Sequence, residues 1–191
     1  GNIDYHSHLD RMDTFDWWHG RELTKEEGYS THLITKHAVD FIKQNKEKPF
    51  FVYVAHEAVH TPVQGPIDGI QRGPGKTKKE ERRPGPEVYA DMLTELDKGV
   101  GEILAVLREN GLAENTLVIF SSDNGPMQLA SPGPLKGRKG SVYEGGHRVP
   151  GLFWWPGTIK AGSESAQTAM QFDLFPTFVD LARIKGQFDF D

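Results

Sequence analysis

Apolar and polar positions alternate along this chain in two different rhythms, and the switch between them marks its elements. Residues 1–29 are polar and irregular, with Trp17 and Trp18 expected to anchor the segment on a core supplied by the rest. Leu33, Ile34, Ala38, Phe41 and Ile42 then recur at helical spacing, which predicts a helix from a Ser30 or Thr31 cap to about Asn45. The run "FFVYVAH" (50–56) predicts a strand buried on both faces. After a proline-rich loop (57–85), Val88, Met92, Leu93, Leu96, Val100, Ile103, Leu104 and Leu107 predict a second helix over 87–110, opened by Pro86 and stopped at Asn110-Gly111. "TLVIFSS" (116–122) and "GLFWWP" (151–156) predict two more strands around a glycine-rich loop. Asp173 can cap a final helix, "LFPTFVDLAR", with Pro176 in its first turn.

The order strand, helix, strand (50–56, 87–110, 116–122) predicts a right-handed parallel crossover and hence an α/β fold. Such a unit places both strand tails at one sheet edge, where ligands of open α/β sheets bind. One tail reads "HEAVHTP" (56–62) and the other "SSDNGP" (121–126).

Composition narrows the chemistry. The 191 residues suffice for one domain, expected over 1–191, with 37% hydrophobic and 26% charged residues. A formal net charge of −5 gives nucleic acid no general attraction. No apolar run approaches the roughly 20 residues of a membrane helix. Cysteine is absent, which removes disulfides, thiolate metal sites and a cysteine nucleophile from this chain and leaves the compartment open. No signal-peptide pattern or initiator Met opens the sequence, so Gly1 reads as a boundary or processing point.

Asp123 and Asn124 are oxygen ligands of the kind hard cations take, although Asn-Gly is also a strong turn signal, and that reading stands beside the metal one. Calcium takes about 6–8 oxygens, so a site here needs partners. Downstream, "LKGRKGSVYEGGHRVP" (135–150) interleaves Lys136, Arg138, Lys139, His147 and Arg148 with glycines that allow close approach to an oxyanion. Each cation alone is more simply a solvated surface charge. Glu144 and Arg148 read as loop-bracing, His56 as a packed strand-end histidine, and the charged run 76–83 as a solvated loop.

With these residues in place the chain resembles the type I sulfatases, arylsulfatase-like enzymes of the alkaline phosphatase superfamily. The similarity runs through "PFFVYVAHEAVHTPVQGP", "YADMLTELDKGVGEILAVLRENGLAENTLVIFSSDNGP", "LKGRKGSVYEGGHRVPGLFWWPG" and "FDLFPTFVDLA", in the family's order. It implies an alkaline-phosphatase-like sandwich, with a largely parallel or mixed central sheet flanked by helices, and a calcium-dependent hydrolase of aryl or carbohydrate sulfate esters. By position, the resemblance makes Asp123 and Asn124 calcium ligands. It makes Lys139 a sulfate contact, and His60 a sulfate contact able to protonate the leaving oxygen.

The departures are as specific. The family's amino-terminal aspartate pair and its Cys- or Ser-type formylglycine motif are missing, as is the C-terminal subdomain. The chain is therefore expected to match the central and later part of a catalytic domain, to hold part of a calcium shell, and to be inactive alone. An exposed sheet edge is expected to promote self-association. Two rivals stay open. One is a phosphoryl-transfer member of the superfamily, against which the single "SDNG" and "GRKG" weigh. The other is a non-catalytic binding or assembly module, which the missing nucleophile favours and the joint presence of His60, Asp123, Asn124 and Lys139 opposes.

Overall fold

A computed structural model describes residues 2–186. The chain forms two compact units, 1–158 and 159–191.

The larger unit is built on two helices, α1 (Ser30–Asn45) and α2 (Gly85–Glu109). Their contacts climb together: His32 meets Glu95, Gly99 lies against Thr35, and Ile42 packs with Val106 and Leu107. The helices therefore run parallel. A Cβ on Gly99 would stand 2.4 Å from the Thr35 hydroxyl, so glycine is what lets them close at this level. One apolar cluster lies at their amino-terminal ends, formed by Tyr5, Tyr29, Val88 and Met92 against Ala58, Val59 and Val63. A second lies at their carboxyl ends, where Ile42, Val106 and Leu107 meet Phe50, Val118 and Trp154. Residues 50–59 run from the second cluster back to the first, which is how the chain returns between two parallel helices.

Helix bounds follow the sequence pattern closely. Pro86 sits in the first turn of α2, and Gly111 adopts φ +67°, the left-handed conformation expected of a glycine stop. The α1 cap differs from expectation: Tyr29 occupies that position, and Ser30 is already helical, its N–H donated to the Tyr5 carbonyl. Leu93 of the predicted stripe is exposed, because the buried face follows Val88, Met92, Gly99 and Val106.

The strands need a larger correction. Among the described residues there are two sheets, each of two antiparallel strands: β1 (Trp18–His19) with β2 (Glu22–Leu23), and β3 (Val118–Ser121) with β4 (Gly151–Trp154). In the second, Val118 faces Trp154 and Ser121 faces Gly151. Residues 50–56 enter no ladder among the described residues, so the parallel pairing expected with 116–122 is not formed there. Nor is that segment buried on both faces. Phe51 and Tyr53 are 67% and 83% exposed while Val52, Val54 and His56 are half-buried, because the helices cover one side of it only. The amino-terminal segment also differs from expectation. Ile3, Asp4, Tyr5 and His8 are themselves buried; Trp17 stacks on His8 as an anchor, whereas Trp18 is exposed.

In the smaller unit the last helix (Leu174–Leu181) follows Asp173, which stands at the cap position expected but makes no side-chain capping bond to that helix. Its carboxylate accepts the Met170 N–H at 2.7 Å, and the Thr177 hydroxyl donates to its carbonyl.

Candidate active site

His60 lies just beyond the extended segment, in a loop pinned on several sides. Its N–H donates to the Glu57 carbonyl at 2.7 Å, and its own carbonyl accepts the Tyr5 hydroxyl at 3.0 Å. Ring Nδ1 is 3.0 Å from the Thr61 carbonyl. A carbonyl can only accept, so Nδ1 is assigned the proton and Nε2 is left without a hydrogen bond among the described residues. Gln64, fully buried, accepts the Tyr5 N–H through its side-chain oxygen and donates to the Gly69 carbonyl. The Tyr29 hydroxyl donates to the Gln64 carbonyl at 2.8 Å. Glu57 accepts the Ile3 N–H, and burial pushes its carboxyl above the usual range.

Beneath this loop lies Asp4, fully buried and accepting backbone N–H bonds from His6, Ser7, Gln71 and Arg72 at 2.6–3.1 Å. Burial alone would raise its pKa, but the N–H donors of Ser7, Gln71 and His6 outweigh that and hold it below the ordinary carboxylate value. His56 behaves as the packed histidine expected. The Thr35 hydroxyl spends its hydrogen on the Thr31 carbonyl, so His56 Nε2–H must donate to it, at 2.9 Å.

The second rim is made almost entirely of backbone. Gly125 N–H donates to the Gly146 carbonyl at 2.9 Å, and Lys139 N–H to the Pro126 carbonyl at 3.1 Å. These bonds bring the Asp123-Asn124 turn onto the loop carrying Lys139. The crossing, and the packing of the Lys139 loop on itself, are too close for side chains. A Cβ on Gly125 would stand 2.0 Å from the Gly145 carbonyl oxygen, one on Gly145 2.3 Å from that of Gly137, and one on Gly146 2.1 Å from that of Ser141. Gly145 and Gly146 belong to a single helical turn, α3 (Glu144–His147).

Charge in this loop is unevenly used. Lys136 Nζ lies 3.9 Å from the Tyr143 ring centre. Arg138 donates to the Met127 and Ala130 carbonyls, and Arg148 pairs with Glu144 at 3.0 Å across one turn, both side chains exposed. Among the described residues the Lys139 ammonium has no hydrogen bond or ion pair; it is exposed and free to meet an anion. The Asn124 side-chain NH₂ donates to one Asp123 carboxylate oxygen, leaving the other and the Asn124 amide oxygen as two hard donors. They fit part of a calcium shell and fall short of a whole one. Among the described residues no group of three or more metal-binding His, Asp or Glu side chains gathers.

The structure thus unites Asp123, Asn124 and Lys139 through their loops. His60 stands on its own support, and among the described residues no hydrogen bond joins it to those three. Sequence reasoning missed that support: Asp4, Tyr5, Glu57 and Gln64. The only signal was the apolar pair Ile3 and Tyr5 two apart, too short a pattern to separate from an irregular segment. The run 76–83 is partly self-satisfied, since Arg82 donates to Thr77 and Gln71, and Arg83 pairs with Asp68 and Asp91.

A family model described as Sulfatase matches residues 1–184. Human (Homo sapiens) N-acetylgalactosamine-6-sulfatase is 39% identical over 170 residues, covering 84% of this chain and 30% of that protein. Human steryl-sulfatase is 35% identical over 162 residues, covering 80% and 26%. Among solved structures, that of Ps i-CgsB in complex with k-i-k-neocarrahexaose superposes with a TM-score of 0.82 at 32% identity, covering 98% of this chain and 45% of that one. The chain spans about 30% of the length of the N-acetylgalactosamine-6-sulfatases it matches.

Proposed function

Because this chain belongs to the sulfatase family, we propose that the protein it forms part of hydrolyses sulfuric esters, with aryl or carbohydrate sulfates as the substrate class. Its fold is the α/β, alkaline-phosphatase-like fold of that family. The observation that carries the reading is the glycine crossing, which sets a free lysine ammonium on the loop that closes against an Asp-Asn pair.

In this reading Lys139 binds the sulfate oxygens and stabilises the charge that builds on them as the ester bond lengthens. Asp123 and Asn124 supply two oxygens to a calcium ion, the rest coming from outside these residues. When bound, that cation offsets charge on the sulfate. His60, its Nδ1–H held on the Thr61 carbonyl, presents Nε2 to the ester and gives its proton to the leaving oxygen when that nitrogen is protonated. The formylglycine nucleophile is assigned to no residue of this chain, and the isolated chain is expected not to turn over.

The test is turnover of para-nitrophenyl sulfate by the full-length protein, before and after chelation with EGTA and on calcium re-addition. Loss on chelation and recovery with calcium are expected. A protein that cleaves the matching phosphate monoester and leaves the sulfate intact would refute the assignment.

A further inference from the structure

We propose that Tyr5 is a positioning residue for His60, holding the histidine's backbone so that Nε2 meets the ester's leaving oxygen; this deepens, and rests on, the role given to His60 above. Tyr5 is fully buried 55 residues upstream, and its hydroxyl reaches the His60 carbonyl at 3.0 Å. The ring cannot drift, because it stacks on Tyr29 at 5.4 Å with 24° between planes, and its N–H is bound to the Gln64 side chain at 3.1 Å. Burial first, then the neighbouring Glu57 carboxyl and Tyr29, raise the phenol's pKa far above its ordinary value. It therefore stays a donor at any pH the protein meets.

The consequence lies in what remains movable. The His60 N–H is held on Glu57, its carbonyl on Tyr5 and its Nδ1 on Thr61. Only Nε2 remains to face a ligand. Removing the Tyr5 hydroxyl unpairs a carbonyl in a half-buried loop and lets the peptide after His60 rotate, taking the ring with it. The loss should appear where His60 acts, in protonating the leaving oxygen, and so should grow with the basicity of that oxygen.

Two esters of nearly equal size make the test: para-nitrophenyl sulfate, whose leaving oxide needs little protonation, and phenyl sulfate, which needs more. In the full-length protein Y5F keeps the ring and its stacking. It is expected to lower kcat for phenyl sulfate about tenfold, a small part of what a general acid supplies, and for the nitro ester less than about twofold. KM should hold for both. H60A should show the same selectivity more strongly, and Y5F/H60A should be no slower than H60A, since Tyr5 works through His60. Y29F, which removes the hydroxyl bond to the Gln64 carbonyl in the same core, controls for destabilisation; it should lower melting temperature without selectivity. Rates are normalised to the folded fraction from circular dichroism. Equal losses on both esters in Y5F, or a full additional loss in the double variant, would reduce Tyr5 to a structural residue and overturn the proposal. An H60A variant without leaving-group selectivity would instead remove the role assigned to His60, and the proposal with it.

Discussion

His60 and Lys139 sit on rims held by opposite means. The His60 rim is carried by buried side chains from distant parts of the sequence: Tyr5, Gln64, Glu57 and, beneath them, Asp4. The Lys139 rim is carried by main chain on main chain, with glycines where backbone carbonyl oxygens press closest, and with Asp123 and Lys139 exposed and Asn124 half-buried. The first kind of support fails by losing a partner, leaving a buried polar group unpaired. The second fails by gaining an atom. Substitutions that are conservative in one rim are therefore severe in the other.

That contrast can be broken at its functional end first. Lys139→Ala should lower kcat/KM for aryl sulfate about 10²–10³-fold, as loss of one oxyanion contact does, while leaving the melting temperature in place because the ammonium has no partner among the described residues. A large stability change would show the lysine to be structural. Asp4→Asn comes next and should act the other way round. Its carboxylate gathers four N–H donors in full burial, so about 2 kcal/mol of unfolding free energy should be lost in urea titration. Gly125→Ala places a methyl 2.0 Å from a backbone oxygen that cannot step aside; a loss of about 1–3 kcal/mol is expected together with activity, as the Asp123-Asn124 turn is pushed off the loop carrying Lys139.

Smaller effects sharpen the comparison through pH. Burial lowers the pKa of both His8 and His56 from 6.5. The unfolded chain then takes up their protons before the folded one does. Stability should be full above about pH 6.5 and fall as pH drops below it, by up to about 1.4 kcal/mol per pH unit for each histidine. Asp4 has the same sign lower down, its contribution present above 3.8 and lost beneath it. Urea titrations across this range would show the slope, and H56Q should remove part of it. A flat profile from pH 7 to 5 would contradict the lowered pKa of these two histidines.

Much of this was legible in the residues because it depends on local rules. The two helices follow from apolar spacing, Pro86 and Gly111, and the placing of Asp123, Asn124 and Lys139 follows from a strand tail and a glycine-rich loop. What escaped depends on partners far along the chain. Whether 50–56 is a laddered strand is decided by a neighbour, and its alternating exposure shows cover on one side only. Tyr5 reads as one aromatic in a polar segment until Gln64 and His60, more than fifty residues on, give it its place. Ser30 looks like a cap by type, but the Tyr5 carbonyl takes its N–H and moves the helix start back by one residue.

The glycine crossing has a further consequence for dynamics. At its centre the bare α-carbon of Gly125 rests on the Gly145 carbonyl oxygen of the other loop, and two backbone hydrogen bonds span the same contact. The amide protons of Gly125 and Lys139, both bonded across the crossing, should trade with deuterium at one common rate, released by a single opening of both loops.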